Sequence, residues 1–257
     1  MVEHPRTRPV GGVEVEALAY WDAESGEPTD APVVVDIHGG PMAYDSPRYA
    51  FRTHYWTSRG YVVLHVNYRG STSYGREFSE AIRGDWGPRE TADVEAGVEA
   101  VVDRGWVDPD RVFVTGFSQG GVNTAYVLTR TDVATAGAAQ HGIYDYRAAF
   151  GTDDSHVWWE NDFGLPWEDP EAYERSSSIT DVGNVDDPLL ITAGGQDWRC
   201  PAGQAEQLYV SVKKQGVPAK LVVYPNLPHS YGGPEQATHR VETVTEWFEE
   251  HDPDRGD

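Results

Sequence analysis

The sequence predicts an α/β protein whose mostly parallel central sheet is covered by helices on both faces. Short runs of β-branched residues alternate with segments of helical periodicity along the 257 residues, and this alternation is typical of parallel strands joined by crossover helices. A Gly-x-Ser-x-Gly motif at residues 116–120 lies between one such strand and one such helix. Polar residues of catalytic type follow several strands, at the edge where such sheets bind ligands.

The first half of the chain contains three predicted strands and two predicted helices. Residues 13–20 begin with an apolar and polar alternation, which suits a half-exposed antiparallel edge strand. Residues 32–37 and 61–67 are short and β-branched, so we expect two buried strands that are parallel neighbours. Residues 46–59 are predicted to be helical, and residues 91–104 place four valines on one face of an amphipathic helix.

The second half continues the alternation with one interruption. Its predicted elements are the strands 111–115, 134–140, 188–193 and 220–224 and the helices 204–214 and 236–250. Residues 143–187 are rich in tryptophan and acids without clear periodicity, and we interpret them as an insertion over the active-site face. Residues 251–257 are predicted to form a frayed tail. The length predicts one domain over residues 1–257.

The composition argues against several classes of partner. The formal net charge of −22 disfavours nucleic acids and anionic membranes. Acids spread along the whole chain favour a halophilic protein, although a mesophilic protein with an acidic surface remains the alternative. One cysteine permits no internal disulfide, and no signal peptide or membrane span is recognisable. We therefore expect a cytoplasmic protein, and the sequence leaves homo-oligomer formation open.

The Gly-x-Ser-x-Gly motif has the features of a nucleophile elbow. Such a turn exposes its serine, here Ser118, above the sheet at the start of a helix. Glycines before and after the serine let the strand and the helix pass close to it. The N–H of Gln119, at the start of that helix, is the first candidate oxyanion donor. The alternative is a tight strand-to-helix turn without catalytic function.

A serine nucleophile needs a base and a carboxylate that orients the base. Asp197 and His229 follow two later predicted strands, in the order expected of such triads. Other acids could replace Asp197 in this role, namely Asp145, Asp186 or Asp187. Nothing in the spacing of histidines and acids predicts a metal site, and no cofactor is expected.

The segment His38-Gly39-Gly40-Pro41 follows an earlier predicted strand and supplies the second candidate oxyanion donor. We expect this donor to be the N–H of Gly40, with Gly39 as the alternative. Glycine lets the backbone approach a reacting carbonyl closely. His38 itself is expected to have a structural role.

Several spaced motifs resemble the prolyl oligopeptidase family of serine peptidases, especially its acylaminoacyl-peptidase-like branch. The motifs lie at residues 38–41, 67–75, 84–87 and 197–201, and the resemblance covers about residues 10–250. It implies an α/β-hydrolase fold and cleavage of short peptides or acyl-amino acids through an acyl-enzyme. It assigns the triad to Ser118, Asp197 and His229, and the oxyanion hole to Gly40 and Gln119.

The resemblance also places Arg199 where the family has an arginine that holds a substrate carbonyl; a surface ion pair is the alternative. Trp158 and Trp159 are candidates for a substrate pocket or for ordinary packing. Family members usually carry an N-terminal β-propeller, whereas this chain begins almost at the hydrolase domain, so we expect a stand-alone hydrolase or the catalytic part of a longer protein. Two alternatives remain. One is a carboxylesterase or thioesterase, because Gly-Phe-Ser-Gln-Gly-Gly resembles the nucleophile elbow of those enzymes. The other is a catalytically silent domain that needs a propeller.

Overall fold

An eight-stranded sheet forms the centre of the computed structural model, which describes residues 1–254. The strands are β1 (Val2–Glu3), β2 (Glu16–Tyr20), β3 (Ala31–Ile37), β4 (Val62–Asn67), β5 (Val107–Phe117), β6 (Ala136–Gln140), β7 (Leu189–Gly194) and β8 (Ala219–Tyr224). Their order across the sheet is β1-β2-β4-β3-β5-β6-β7-β8. Strands β3 to β8 are parallel, and β1 and β2 are antiparallel to their neighbours. The predicted parallel pairing of β3 with β4 is confirmed.

Helices cover both faces of this sheet. They are α1 (Phe51–Thr57), α2 (Arg76–Glu80), α3 (Pro88–Val102), α4 (Gln119–Arg130), α5 (Tyr146–Ala149), α6 (His156–Phe163), α7 (Pro170–Arg175), α8 (Ala202–Lys214) and α9 (Pro234–Glu250). Val33 and Val35 pack into a core with α3, α4 and α8, whereas Val34 packs into a second core with α1 and α9. Because successive strand residues point to opposite faces, β3 must be apolar throughout. The predicted α/β-hydrolase fold is confirmed.

Two details of the prediction are wrong. Strand β2 is mostly buried and is covered on its outer side by β1, so it is not a half-exposed edge. The predicted frayed tail is held to the body as far as it is described, because the Asp252 carboxylate pairs with Arg111 at 2.7 Å. Residues 255–257 of that tail lie outside the described part of the chain.

The segment predicted as an insertion, residues 143–187, contains α5, α6 and α7. These helices share an aromatic cluster with Trp86, Tyr126 and Val122, beside the carboxyl edge of the sheet. Tyr146, Trp159 and Phe163 each meet Trp86 edge to face. Within residues 1–254, no helix combines the length and the apolar character required to cross a membrane.

Candidate active site

Ser118 occupies the sharp turn between β5 and α4. Its backbone has φ of 61° and ψ of −121°, a region that a residue with a Cβ rarely enters. The flanking glycines are required by close backbone contacts, since a Cβ on Gly116 would lie 2.5 Å from the carbonyl oxygen of Ile37, and one on Gly120 would overlap the same oxygen. The motif therefore holds the serine in a strained turn above the sheet, as the sequence predicts.

The three residues predicted to form a triad lie in one hydrogen-bonded chain. Nε2 of His229 is 2.8 Å from Ser118 Oγ, and its Nδ1 is 2.8 Å from Asp197 Oδ2. Asp197 lies just beyond β7 and His229 just beyond β8. The Asp197 side chain is completely buried, whereas that of His229 is 23% exposed. A substrate can therefore reach the imidazole while the carboxylate stays shielded from water.

Each carboxylate oxygen of Asp197 accepts two hydrogen bonds. Oδ1 accepts from the backbone N–H groups of Arg199, at 3.0 Å, and Cys200, at 2.8 Å. Oδ2 faces Nδ1 of His229 and also Nδ1 of His141, each at 2.8 Å. Burial by itself raises the pKa of this carboxyl, but the histidine and backbone donors outweigh it and hold the pKa well below its ordinary value. Asp197 is therefore an anion at neutral pH.

Sequence reasoning missed His141, which follows β6 directly. Its side chain is fully buried, and its ring lies 5.0 Å from that of Phe117. Burial lowers its pKa, so that the imidazole is neutral near pH 7. A signal was present in the sequence, because a polar residue at the carboxyl end of a parallel strand belongs at the ligand-binding edge.

The two predicted oxyanion donors lie beside the serine. Gly40 and Gln119 both line the small cavity that contains Ser118. The neighbouring Gly39 fits so tightly that an added Cβ would be 2.7 Å from Phe117 O and 3.7 Å from Gln119 N. Gln119 begins α4, so its N–H is among those without an acceptor inside the helix. Both residues therefore lie where the predicted oxyanion donors are needed, beside the serine.

His38 braces this glycine loop. Its ring nitrogens lie 2.8 Å from Gly39 O and 2.9 Å from Ser71 Oγ, and its ring stacks on Tyr68 at 4.5 Å. The hydroxyl of Tyr68 donates to His38 O at 3.0 Å. These contacts of His38 fit the structural role that the sequence predicts for it.

The cavity beside Ser118 is small, at about 40 Å³, and is lined by both polar and apolar groups. Its lining side chains are Val122, Ile143, Tyr146, Trp158, Trp159, Arg199 and Cys200. Trp158 and Trp159 are stacked with their planes 9° apart, and the second is almost fully buried. Both tryptophans therefore combine the two roles considered from the sequence, packing and lining the cavity. A larger cleft of about 860 Å³, between α3 and α7, contains none of the triad residues.

Arg199 lies at the rim of the same cavity. Its guanidinium donates to the Asp154 carboxylate, and both side chains are nearly half exposed. This hydrogen bond is the main cause that lowers the pKa of Asp154. Arg199 therefore forms the surface ion pair that was the alternative to a substrate-binding role. It also lines the cavity that contains Ser118.

One set of histidine and acidic side chains among residues 1–254 is compact enough to hold a metal ion, namely His141, Asp197 and His229, with donor atoms within 4.8 Å of one another. Both Nδ1 atoms already face one Asp197 oxygen at hydrogen-bond distance. The set therefore matches a hydrogen-bonded relay better than a metal centre.

Comparison with known proteins identifies the family of this chain. The prolyl oligopeptidase family profile matches residues 47–252. An uncharacterised peptidase, YuxL, of Bacillus subtilis is 34% identical over 93% of this chain and 37% of its own length. The acylamino-acid-releasing enzyme 1 of Oryza sativa is 28% identical over 86% of this chain and 30% of its own length.

Among solved structures, the acylaminoacyl peptidase of Pyrococcus horikoshii superposes with a TM-score of 0.90 and 26% identity. The match covers 100% of this chain and 43% of that one. The chain thus spans about a third of the length of the curated relatives that it matches. With a family profile that covers most of its length and a matching fold, the chain belongs to the prolyl oligopeptidase family of serine peptidases.

Proposed function

We propose that this protein hydrolyses short peptides or acyl-amino-acid amides through an acyl-enzyme. The observation that carries the proposal is the continuous chain from Ser118 Oγ through His229 to the buried Asp197, with two contacts of 2.8 Å. A nucleophile, a base and an orienting carboxylate in this geometry perform acyl transfer. The names of the related peptidases support amides as substrates.

In the proposed reaction, Ser118 Oγ attacks the carbonyl carbon of the scissile bond while His229 Nε2 takes the hydroxyl proton. The resulting imidazolium is stabilised by Asp197, which stays ionised. His229 then gives the proton to the leaving amine, the C–N bond breaks, and an ester to Ser118 remains. A water molecule repeats the sequence with His229 as base, which releases the acid and restores the serine.

The tetrahedral intermediate carries its negative charge on the former carbonyl oxygen. We infer that the N–H groups of Gly40 and Gln119 hold this oxygen, since both residues line the cavity with Ser118. The start of α4 adds the positive end of a helix dipole at the same point. Rigid backbone donors need no reorganisation when the charge develops.

The small cavity beside Ser118 is the proposed site for the side chain that precedes the scissile bond. Trp158, Trp159 and Tyr146 offer aromatic walls to that side chain, and the charged group in the lining, Arg199, is paired with Asp154. Arg199 at the rim can donate to a substrate backbone carbonyl while Asp154 holds its guanidinium in place. We therefore expect apolar residues before the cut, and acidic or basic residues to be disfavoured.

A matched ester and amide test this function. An acyl-amino-acid p-nitrophenyl ester and the corresponding p-nitroanilide are compared at high salt, with Ser118→Ala as control. Cleavage of the amide by wild type, with a loss on the order of 10⁴-fold or more in the variant, supports a peptidase. Cleavage of the ester alone would indicate a carboxylesterase. Absence of both reactions, and of a fluorophosphonate adduct on Ser118, would indicate a silent domain.

A further inference from the structure

His141 contributes a second imidazole to the carboxylate of the triad. Its Nδ1 lies 2.8 Å from the same Asp197 oxygen that faces His229, and neither His141 nor Asp197 has any exposed side-chain surface. His229 turns its other nitrogen to Ser118. Among the described residues no hydrogen bond joins His141 to the serine. Its ring meets those of Phe117 at 5.0 Å and His229 at 6.3 Å, and its polar contact with the triad is the one to Asp197.

The backbone holds His141 in a defined place. Its φ of 52° is left-handed, a region in which histidine and asparagine are enriched among residues with a Cβ. Its N–H donates to Thr192 O on β7 at 2.8 Å. A Cβ on Gly194 would lie 3.1 Å from the imidazole Cε1, so the ring also fills the space beside β7. The imidazole therefore has little freedom to turn away from Asp197.

The proton on His141 faces the carboxylate. Burial keeps the ring neutral near pH 7, so it carries a single N–H. Within the described residues Nε2 is buried and has no hydrogen-bond partner, whereas Nδ1 faces an ionised oxygen. The Nδ1–H tautomer satisfies the carboxylate and is the favoured form.

The charged and titratable groups around the pair come from several elements. They are Arg240 on α9, Arg199 and Cys200 beyond β7, Asp154 before α6, and His229 beyond β8. None of them is altered by replacing His141, so a change in pH dependence on replacement reports on the His141 contact itself.

We propose that His141 is a positioning residue, whose Nδ1–H fixes Asp197 Oδ2 and takes up part of the charge that would otherwise act on His229 alone. The inference rests on the proposed function. With this donor, the carboxylate is held at both oxygens, in line with Nδ1 of His229. Without it, the carboxylate attracts a proton to His229 more strongly and can rotate out of line.

Two variants of nearly equal shape separate the hydrogen bond from packing. His141→Asn keeps an N–H donor close to the position of Nδ1 and tolerates the left-handed backbone, whereas His141→Leu has the same branching and no donor. For His141→Leu we expect kcat to fall about 10- to 100-fold, with KM nearly unchanged. The midpoint of the acid limb of kcat/KM should move up by about 0.5 pH unit or more. His141→Asn should recover most of both effects.

Nuclear magnetic resonance of wild-type protein with ¹⁵N-labelled histidine gives a readout that needs neither folding of a variant nor catalysis. Two strongly downfield Nδ1–H protons are expected, one from His229 and one from His141. A proton found on Nε2 of His141 would overturn the inference. If wild type is active and His141→Leu keeps both its kcat and the midpoint of its acid limb, the inference is also overturned. The same holds if both variants lose activity equally and the acid limb does not shift. A wild type without hydrolysis or fluorophosphonate labelling would instead overturn the proposed function, and with it the kinetic role of His141.

Discussion

Replacing Asp197 by asparagine should abolish almost all activity while preserving the fold. Oδ1 accepts from two backbone N–H groups, and Oδ2 faces two histidine Nδ1 atoms. The amide of asparagine has one acceptor oxygen, and backbone N–H groups can only donate. The asparagine oxygen therefore takes the place of Oδ1, and its NH₂ group faces both imidazoles.

An NH₂ group at that place reverses the tautomer of His229. The imidazole must accept at Nδ1, so its proton moves to Nε2, which lies 2.8 Å from Ser118 Oγ. A protonated Nε2 cannot take the serine proton, and the charge that stabilises the imidazolium is also gone. A triad with this defect loses on the order of 10⁴ in kcat, or about 5 kcal/mol of transition-state stabilisation.

The measurement is kcat and kcat/KM for the p-nitroanilide, with thermal unfolding followed by circular dichroism. Asp186→Asn is the matched control, because Asp186 is exposed and is one of the acids that the sequence leaves open for this role. It should keep wild-type activity. If folded Asp197→Asn protein kept more than about one tenth of the wild-type kcat, or if Asp186→Asn lost as much, the assignment of the acid would be wrong.

Three further changes probe the elbow, a buried acid and the surface. Gly120→Ala puts a Cβ onto the carbonyl oxygen of Ile37, so fluorophosphonate labelling of Ser118 should slow about 10²-fold. Gly183→Ala is the control, because its Cβ meets nothing within 4 Å, and it should be labelled at the wild-type rate. Equal labelling rates in the two variants would refute the steric argument. Burial raises the pKa of Glu90 from 4.5 to about 8, so its contribution to stability is complete below about pH 4.5 and is lost as the pH rises through about 8. The Tm of E90Q relative to wild type should therefore increase between these pH values, and a constant difference would contradict the burial argument. The net charge of −22 predicts that raising KCl from about 0.1 M to about 2 M screens self-repulsion and raises Tm; an unchanged Tm would favour an ordinary acidic surface.

The elements and the triad could be predicted because their signals are local. The glycines around Ser118 are required by backbone contacts within the elbow. Of the eight strands among the described residues, seven are recognisable from their own residues, whereas the two-residue β1 is not. Asp197 and His229 could be placed together because the carboxyl ends of parallel strands meet at one edge. β2 was placed wrongly at the edge, because alternation along a short segment carries no information about the two-residue strand that covers it.

The sequence by itself determined the fold class, the strained serine turn and the order of nucleophile, acid and base. Only the tertiary structure decided that His141 shares Asp197 with His229, that Arg199 is paired with Asp154, and that the tryptophans line the serine cavity. The reason is physical. Backbone preferences depend on near neighbours in the chain, whereas the direction of a buried side chain depends on what packs around it. His141 and Asp197 are 56 residues apart, and only the folded sheet brings them to 2.8 Å.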